Sequence, residues 1–140
     1  MNGFLLDTNV PSELTRPQPQ LSVSQWLENA EDDRLYLSVI SLGEIVKGIT
    51  LLQESKRRAL LQRWLDNTLR PWFESRILAV DQSIAERWGM LAGQRRLKGR
   101  PLKTADGFIA ATALEHDLII VTRNVSDFEG LGVTLLNPWE

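Results

Sequence analysis

Four carboxylates, with the polar residues beside them, are the part of this sequence that could do chemistry. Asp7 closes the apolar run "GFLLDTNV" at residues 3–10, and Thr8 and Asn9 follow it directly. Glu44 lies in "SLGEIVKG" and Asp106 in "KTADGFIAATAL". Asp127 lies in "VTRNVSDF", preceded by Thr122, Arg123 and Asn124. If these acids meet at one edge of a fold, they repel. Two unit charges ~5 Å apart repel by roughly 3 kcal/mol at an effective dielectric of about 20. A divalent cation removes that cost, and all-oxygen ligands favour Mg2+ or Mn2+ over Zn2+. Such a site is best suited to activating water and stabilising charge on a phosphoryl group. That points to phosphodiester hydrolysis.

Each acid also has a plainer role. Ser41 with Glu44 three residues later forms a capping-box pattern. Asp106 would complement a helix dipole. Asp7 could cap a helix beginning near Pro11, and Asp127 could cap a turn. All four plain roles would have to hold together for the acids to carry no site.

Other chemistries fit poorly. The one histidine, His116, falls late in a helical pattern with no second histidine to pair with, and reads as a surface or structural residue. There is no GxxxxGK[ST] phosphate loop and no GxSxG elbow. The "GLG" at residues 130–132 reads as a turn. With no cysteine, neither a disulfide framework nor a thiolate zinc site is possible. That is compatible with a reducing compartment, and the cytoplasm is the expected location.

The elements that must position these acids follow from periodicity. "GFLLD" reads as a first strand. The prolines of "TRPQPQ", residues 15–20, should end any short helix begun after Asn9. Residues 21–30 read as a helix with Val23, Trp26, Leu27 and Ala30 on one face. "RLYLSVIS" reads as a strand, and a helix should start at Ser41. A second helix is expected from about Ser55 to Leu69. "RILAVD" is a short strand whose Asp81 caps a long helix to about Leu97. "LKGRPLK" is a loop, and Thr104 is the expected N-cap of the helix carrying Asp106. "LIIVT" and "VTLL" are the last strands, with a short turn or helical piece between them.

Strands separated by helices argue for a parallel sheet with helices on both faces. Ligands then bind outside the carboxyl ends of the strands, the edge where all four acids would gather. The 140 residues, 43% of them hydrophobic, suffice for one domain with a real core. No basic n-region with a long apolar stretch opens the chain, and no run approaches the ~20 apolar residues of a membrane span. The net charge of −2 neither advertises nor excludes nucleic acid, because local patches do the steering. "SKRR" at residues 55–58 and "RRLKGRPLK" at residues 95–103 are candidate polyanion contacts. The second lies just before Asp106 and could flank the site. Arg123 is the basic residue nearest the expected metal edge. Four of the five tryptophans, Trp26, Trp64, Trp72 and Trp88, fall on expected helices, where core packing is the default.

Taken together, "LLDTNV", "SLGEIVKG", "KTADGFIAATAL" and "VTRNVSDF" resemble a PIN domain. The closer resemblance is to VapC-type toxins of bacterial toxin–antitoxin pairs, in the FitB-like branch, and "RPQP" and the final "NPWE" strengthen it. The resemblance spans essentially the whole chain. "DTN" alone is a weak motif, but four blocks in the right order are specific. The resemblance implies one PIN domain over residues 1–140. Its α/β fold is a three-layer sandwich, with a central, mostly parallel sheet of about five strands and helices on both faces. It also implies a Mg2+- or Mn2+-dependent endoribonuclease acting on RNA. The expected partners are a second copy in a homodimer and a cognate VapB-like antitoxin. Operator DNA is reached only through that antitoxin, and no membrane is involved.

By motif, Asp7, Glu44 and Asp106 match the three acidic, metal-holding positions. Thr8, Asn9 and Thr122 match the polar supports. Many relatives carry an aspartate two residues after the threonine of the last motif. Here Asn124 stands there, with Asp127 three residues further on. Asp127 is therefore expected either as a fourth ligand or as a support acting through water, and Asn124 as a group that orients water. Two rivals remain. "LLDTN" is similar to the strand-end nucleophile of haloacid-dehalogenase-like phosphatases, but these usually carry a second aspartate where this chain has Asn9. A PIN scaffold that binds RNA or an antitoxin without cutting would not need all three acids.

Overall fold

Strand β1 (Phe4–Leu6) runs through the middle of the molecule, in a computed structural model that describes residues 3–140. It pairs in parallel with β2 (Leu35–Ser38) on one side and β4 (Ile119–Val121) on the other. The edges are β3 (Ile77–Leu78) and β5 (Leu135–Leu136), both parallel again, giving the order β3-β2-β1-β4-β5. The strands are short and apolar because both faces are covered.

Alternation along β1 divides the core. Leu6 and Val121 point into a cluster with Val10, Leu27, Ile45, Leu65 and Phe73. That face is covered by α1 (Asn9–Glu13), α2 (Leu21–Asn29), α3 (Val39–Leu51) and α4 (Lys56–Trp64). Leu5 and Ile120 point the other way, into a cluster with Ile84, Leu91 and Ile109. There α6 (Gln82–Leu97) packs along α7 (Thr104–His116). The α/β sandwich with a parallel five-stranded sheet is as expected, and the sheet is parallel throughout.

Several local expectations are corrected. The second strand ends at Ser38, not Ser41. Ser38 is the N-cap of α3, its Oγ accepting from the Ile40 N–H at 3.0 Å. Ser41 is instead buried within the first turn of the helix, its hydroxyl without a partner among the described residues. The capping box with Glu44 therefore does not exist. Two β-branched residues before Ser41 suggested continued strand, but an earlier serine took the cap. The helix expected to stop near Leu69 passes through a π turn (Leu65–Leu69) and ends as α5 (Arg70–Trp72). The wider turn puts Leu65 and Leu69 both in the core. Thr104 is the first residue of α7 rather than its cap; Lys103 holds the cap position without a side-chain bond. Asp81 caps α6 as expected, accepting from the Ile84 N–H at 2.9 Å. His116 is exposed at the end of α7. Trp26, Trp64, Trp72 and Trp88 all pack partly buried against the two clusters. Among the described residues, no helix is long and apolar enough to cross a membrane.

Candidate active site

The β1–β4 ladder runs one step beyond the strand, where the Asp7 N–H donates to the Val121 carbonyl at 2.9 Å. This seats Asp7 at the carboxyl end of the central strand, with 6% of its surface exposed. Burial of a carboxylate demands partners, and the neighbouring motif residues supply them. The Thr8 N–H donates to Oδ1 at 2.8 Å and the Thr122 hydroxyl to Oδ2 at 2.7 Å. Asn9 Nδ2 lies 3.3 Å from the same Oδ2 and 3.4 Å from Thr122 Oγ1. The Asn9 side-chain oxygen in turn accepts from the Arg123 N–H at 3.4 Å. Burial raises the Asp7 carboxyl above its ordinary value, the Thr122 and Thr8 bonds oppose that rise, and the charges of Glu44 and Asp127 add to it.

Glu44 sits in the second turn of α3, so its carboxylate is not spent on a helix end. It accepts from the Thr8 hydroxyl at 2.6 Å. Thr8 thus links two acids through different atoms, its N–H on Asp7 and its hydroxyl on Glu44.

Asp106 stands in the first turn of α7. The residue after it, Gly107, lies where α7 packs closely on α6. A Cβ at position 107 would lie 2.7 Å from Trp88 Cδ1 and 3.0 Å from Leu102 Cδ2. Trp88 also stacks on Phe108, with ring centroids 4.7 Å apart and planes 10° from parallel. Gly107 and Trp88 were not among the residues expected to matter. The glycine directly after Asp106, inside an otherwise apolar helix, was the available signal.

Asp127 reaches the same edge because residues Val125–Phe128 form a 3-10 turn. Asn124 precedes that turn, and its N–H donates to Thr122 Oγ1 at 3.0 Å. Asp7, Thr8, Asn9, Glu44, Asp106, Asn124 and Asp127 all line one pocket of about 340 Å3. The four acids come from four different elements, as the sheet topology requires. Asp106 shows what their convergence does. Its carboxyl is pushed up to about 6, chiefly by burial, then by the charges of Asp7 and Asp127; Lys103 pulls the other way, and Glu44 adds a little.

The basic residues are distributed differently from expectation. The Arg123 guanidinium lies over the Trp139 ring, 5.6 Å from its centroid, and does not line the acidic pocket. Arg123 supports the site through its main chain, by way of Asn9. The cation on the pocket wall is Lys103, from the "RRLKGRPLK" segment. Arg57, from "SKRR", lines a separate groove of about 300 Å3 that shares Thr8 and Glu44 with the acidic pocket.

Among the described residues, no three acidic or histidine side chains close around a single point. The donor set nevertheless has the right chemistry for a hard divalent cation: carboxylate oxygens, with a carboxamide and hydroxyls behind them. The raised Asp106 carboxyl owes most to burial and then to the charges of Asp7 and Asp127, which such a cation would offset.

Comparison with known proteins adds an independent line. The PIN domain family model matches residues 4–131. The chain is 38% identical over 136 residues to Toxin FitB of Neisseria gonorrhoeae (strain ATCC 700825 / FA 1090), covering 97% of this chain and 98% of that protein. It is 36% identical over 137 residues to VapC ribonuclease Y4jK of Sinorhizobium fredii (strain NBRC 101917 / NGR234), covering 98% of each. The solved structure of FitAB bound to an IR36 DNA fragment contains a chain that superposes with a TM-score of 0.91 at 36% identity, covering 98% of this chain and 96% of that one.

Proposed function

The chain belongs to the PIN domain family, and from that premise we propose that it is a metal-dependent endoribonuclease and the toxin of a VapBC-type toxin–antitoxin pair. The observation that carries this reading is the convergence of Asp7, Glu44, Asp106 and Asp127 on one pocket. Asp7, Glu44 and Asp106 would hold Mg2+ or Mn2+, with Asp127 beside them. The ion, when bound, supplies Lewis acidity toward a phosphoryl oxygen and lowers the pKa of water. The remaining steps belong to the chain. Thr122 and the Thr8 N–H fix both oxygens of Asp7, and the Thr8 hydroxyl fixes Glu44. Asn124, a neutral amide, orients water but cannot take its proton. A carboxylate of the cluster accepts that proton as the water oxygen attacks phosphorus. The bond from phosphorus to the 3′-oxygen breaks, that oxygen takes a proton from water, and a 5′-phosphate and a 3′-hydroxyl are left.

The names of the relatives support this reading, since one is a toxin and another a ribonuclease. The partners follow from the same reading. A cognate antitoxin would lay an apolar segment in the groove lined by Ile45, Ile49, Leu61 and Trp64. Because that groove shares Thr8 and Glu44 with the acidic pocket, a basic side chain on the segment can enter the pocket in place of the cation. Operator DNA would be contacted through the antitoxin. Met90 and Leu97 are large exposed apolar side chains on α6 that a second copy in a homodimer would bury. The expected place of action is the cytoplasm, where RNA and antitoxin meet.

The deciding experiment is cleavage of defined RNAs by purified protein with Mg2+ or Mn2+, followed by analysis of the cut ends. Cuts with 5′-phosphate ends that vanish in excess EDTA and in Asp106→Asn support the reading. Undiminished cleavage in either condition removes it.

A further inference from the structure

A second pocket, of about 220 Å3, opens beside the acidic one. The two share a wall of Lys103, Asp106 and Asp127. Beyond that wall the sign of charge reverses, because the other charged residues of the second pocket are Arg95 and Arg100. Arg95 is half-buried and fixed in place. Its Nε donates to the Arg100 carbonyl at 3.1 Å and its Nη1 to the Glu129 carbonyl at 3.3 Å. One guanidinium thus ties the end of α6 to the following loop and to the turn after Phe128. Carbonyls neutralise no charge, and two bonds leave three of its five N–H donors. Among the described residues, none of Arg95, Arg100 and Lys103 takes part in an ion pair.

Three cations, none of them in a salt bridge among the described residues, therefore face one concavity with Asp106 and Asp127 on its shared wall, at the immediate border of the acidic pocket. A polyanion entering the acidic pocket must be held by charge elsewhere; this concavity gathers three cations, whereas the groove that shares Thr8 and Glu44 has Arg57. The fork of an arginine matches a phosphate through paired donors, and a pre-oriented fork loses less freedom on binding. We propose that this second pocket seats the backbone phosphate adjoining the scissile one in single-stranded RNA, with Arg95 as the fixed ligand and Arg100 and Lys103 closing over it. The strand then crosses the acidic pocket in a path fixed by the loop between α6 and α7. This rests on the nuclease reading above.

The test begins with cleavage by the wild-type protein in Mn2+. If no RNA is cut, the nuclease reading fails and takes this proposal with it. Where RNA is cut, binding is measured with Glu44→Gln in EDTA, on a short single-stranded RNA spanning the mapped cut. Copies carry one neutral methylphosphonate linkage at successive positions. The expected result is that neutralising one linkage beside the cut weakens binding about tenfold. Adding Arg100→Gln should reduce the penalty at that linkage, with Arg95 and Lys103 retaining part of it, and flatten the slope of log K against log salt by up to about 0.7. The Arg100 side chain makes no hydrogen bond among the described residues, so folding should be unaffected. Arg95→Lys, which keeps the charge and loses the fork, should give an intermediate loss. Equal sensitivity of every linkage with and without Arg100 overturns the proposal while leaving the nuclease reading intact. If only removal of a terminal 5′-phosphate reproduces the effect, the pocket takes a chain end and the internal assignment is wrong.

Discussion

Thr122 Oγ1 donates a 2.7 Å hydrogen bond to Asp7 Oδ2, joining two buried side chains 115 positions apart. The same hydroxyl accepts from the Asn124 N–H and lies within reach of the Asn9 amide, so its bonding capacity is fully used. Thr122→Val keeps the shape and removes all of this. The bond favours the charged form of Asp7, so its loss should raise that carboxyl further. Cleavage should fall ~10- to 100-fold, as for other supports behind a metal ligand. The acid limb of the pH–rate profile should also move to higher pH. An unchanged limb with a lower plateau would mean that Thr122 acts only in folding.

Asp106→Asn should be inactive yet more stable than the wild type in the absence of metal. The folded-state pKa of about 6 stands above the ordinary 3.8. The native state therefore holds more protons than the unfolded state between those values, and stability falls as pH rises through that window. Asparagine escapes this penalty. Asp106 is only half-buried, so solvent screening reduces the effect, and the expected gain is about 3 °C in Tm near neutral pH. The gain should vanish below about pH 4, where the wild-type carboxyl is protonated in both states. Melting curves across pH in EDTA check both parts.

Mg2+ or Mn2+ should raise the melting temperature of the wild type by mass action. The shift should shrink in Asp7→Asn, which removes the most buried charge of the cluster. Equal shifts in the two proteins would mean that the ions act elsewhere.

Asp127 and Asn124 line the same pocket, but only one carries charge. Asp127→Asn and Asn124→Ala should each cost ~10- to 100-fold in cleavage, with Asp127→Asn alone moving the midpoint of a Mn2+ titration. If Asp127→Asn is as inactive as Asp106→Asn, Asp127 is a direct ligand. If neither substitution moves rate or midpoint, three carboxylates suffice.

Gly107→Ala should damage the site without touching it. The new methyl group meets Trp88 at 2.7 Å, and overpacking of this kind costs about 1–3 kcal/mol. Either Trp88 or the start of α7 must move, and Asp106 moves with the helix. A lower urea midpoint with cleavage reduced more than tenfold is expected. Pairing the change with Trp88→Leu should recover part of both. Wild-type cleavage in Gly107→Ala would show that Asp106 tolerates displacement.

Asp7 and Asp106 were legible because they stand at a strand end and a helix start, where the parallel topology sends them to one edge. Asp127 was harder, since its placement depends on a 3-10 turn with no periodic signal. Glu44 was legible as a site residue for an incomplete reason. The pattern with Ser41 offered a competing capping role, and only the earlier cap at Ser38 removes it. Arg123 was adjacent in sequence but turned away, because Trp139, far along the chain, offers its guanidinium an aromatic face. Contacts of that kind, like the seat of Trp88 on Gly107, are tertiary and leave no local pattern.

The central position of β1 has a consequence for how the molecule is made. Leu6 pairs with Val121, so β1 waits for a strand made long after it. At ~5–20 residues per second of synthesis, that wait is on the order of ten seconds. For most of it the growing chain has Asp7 and then Glu44 without Asp106, and throughout it lacks the Thr122 hydroxyl that holds Asp7 in place. On the nuclease reading proposed above, the strand order keeps the site incomplete beside the ribosome's RNA until Thr122 has been made.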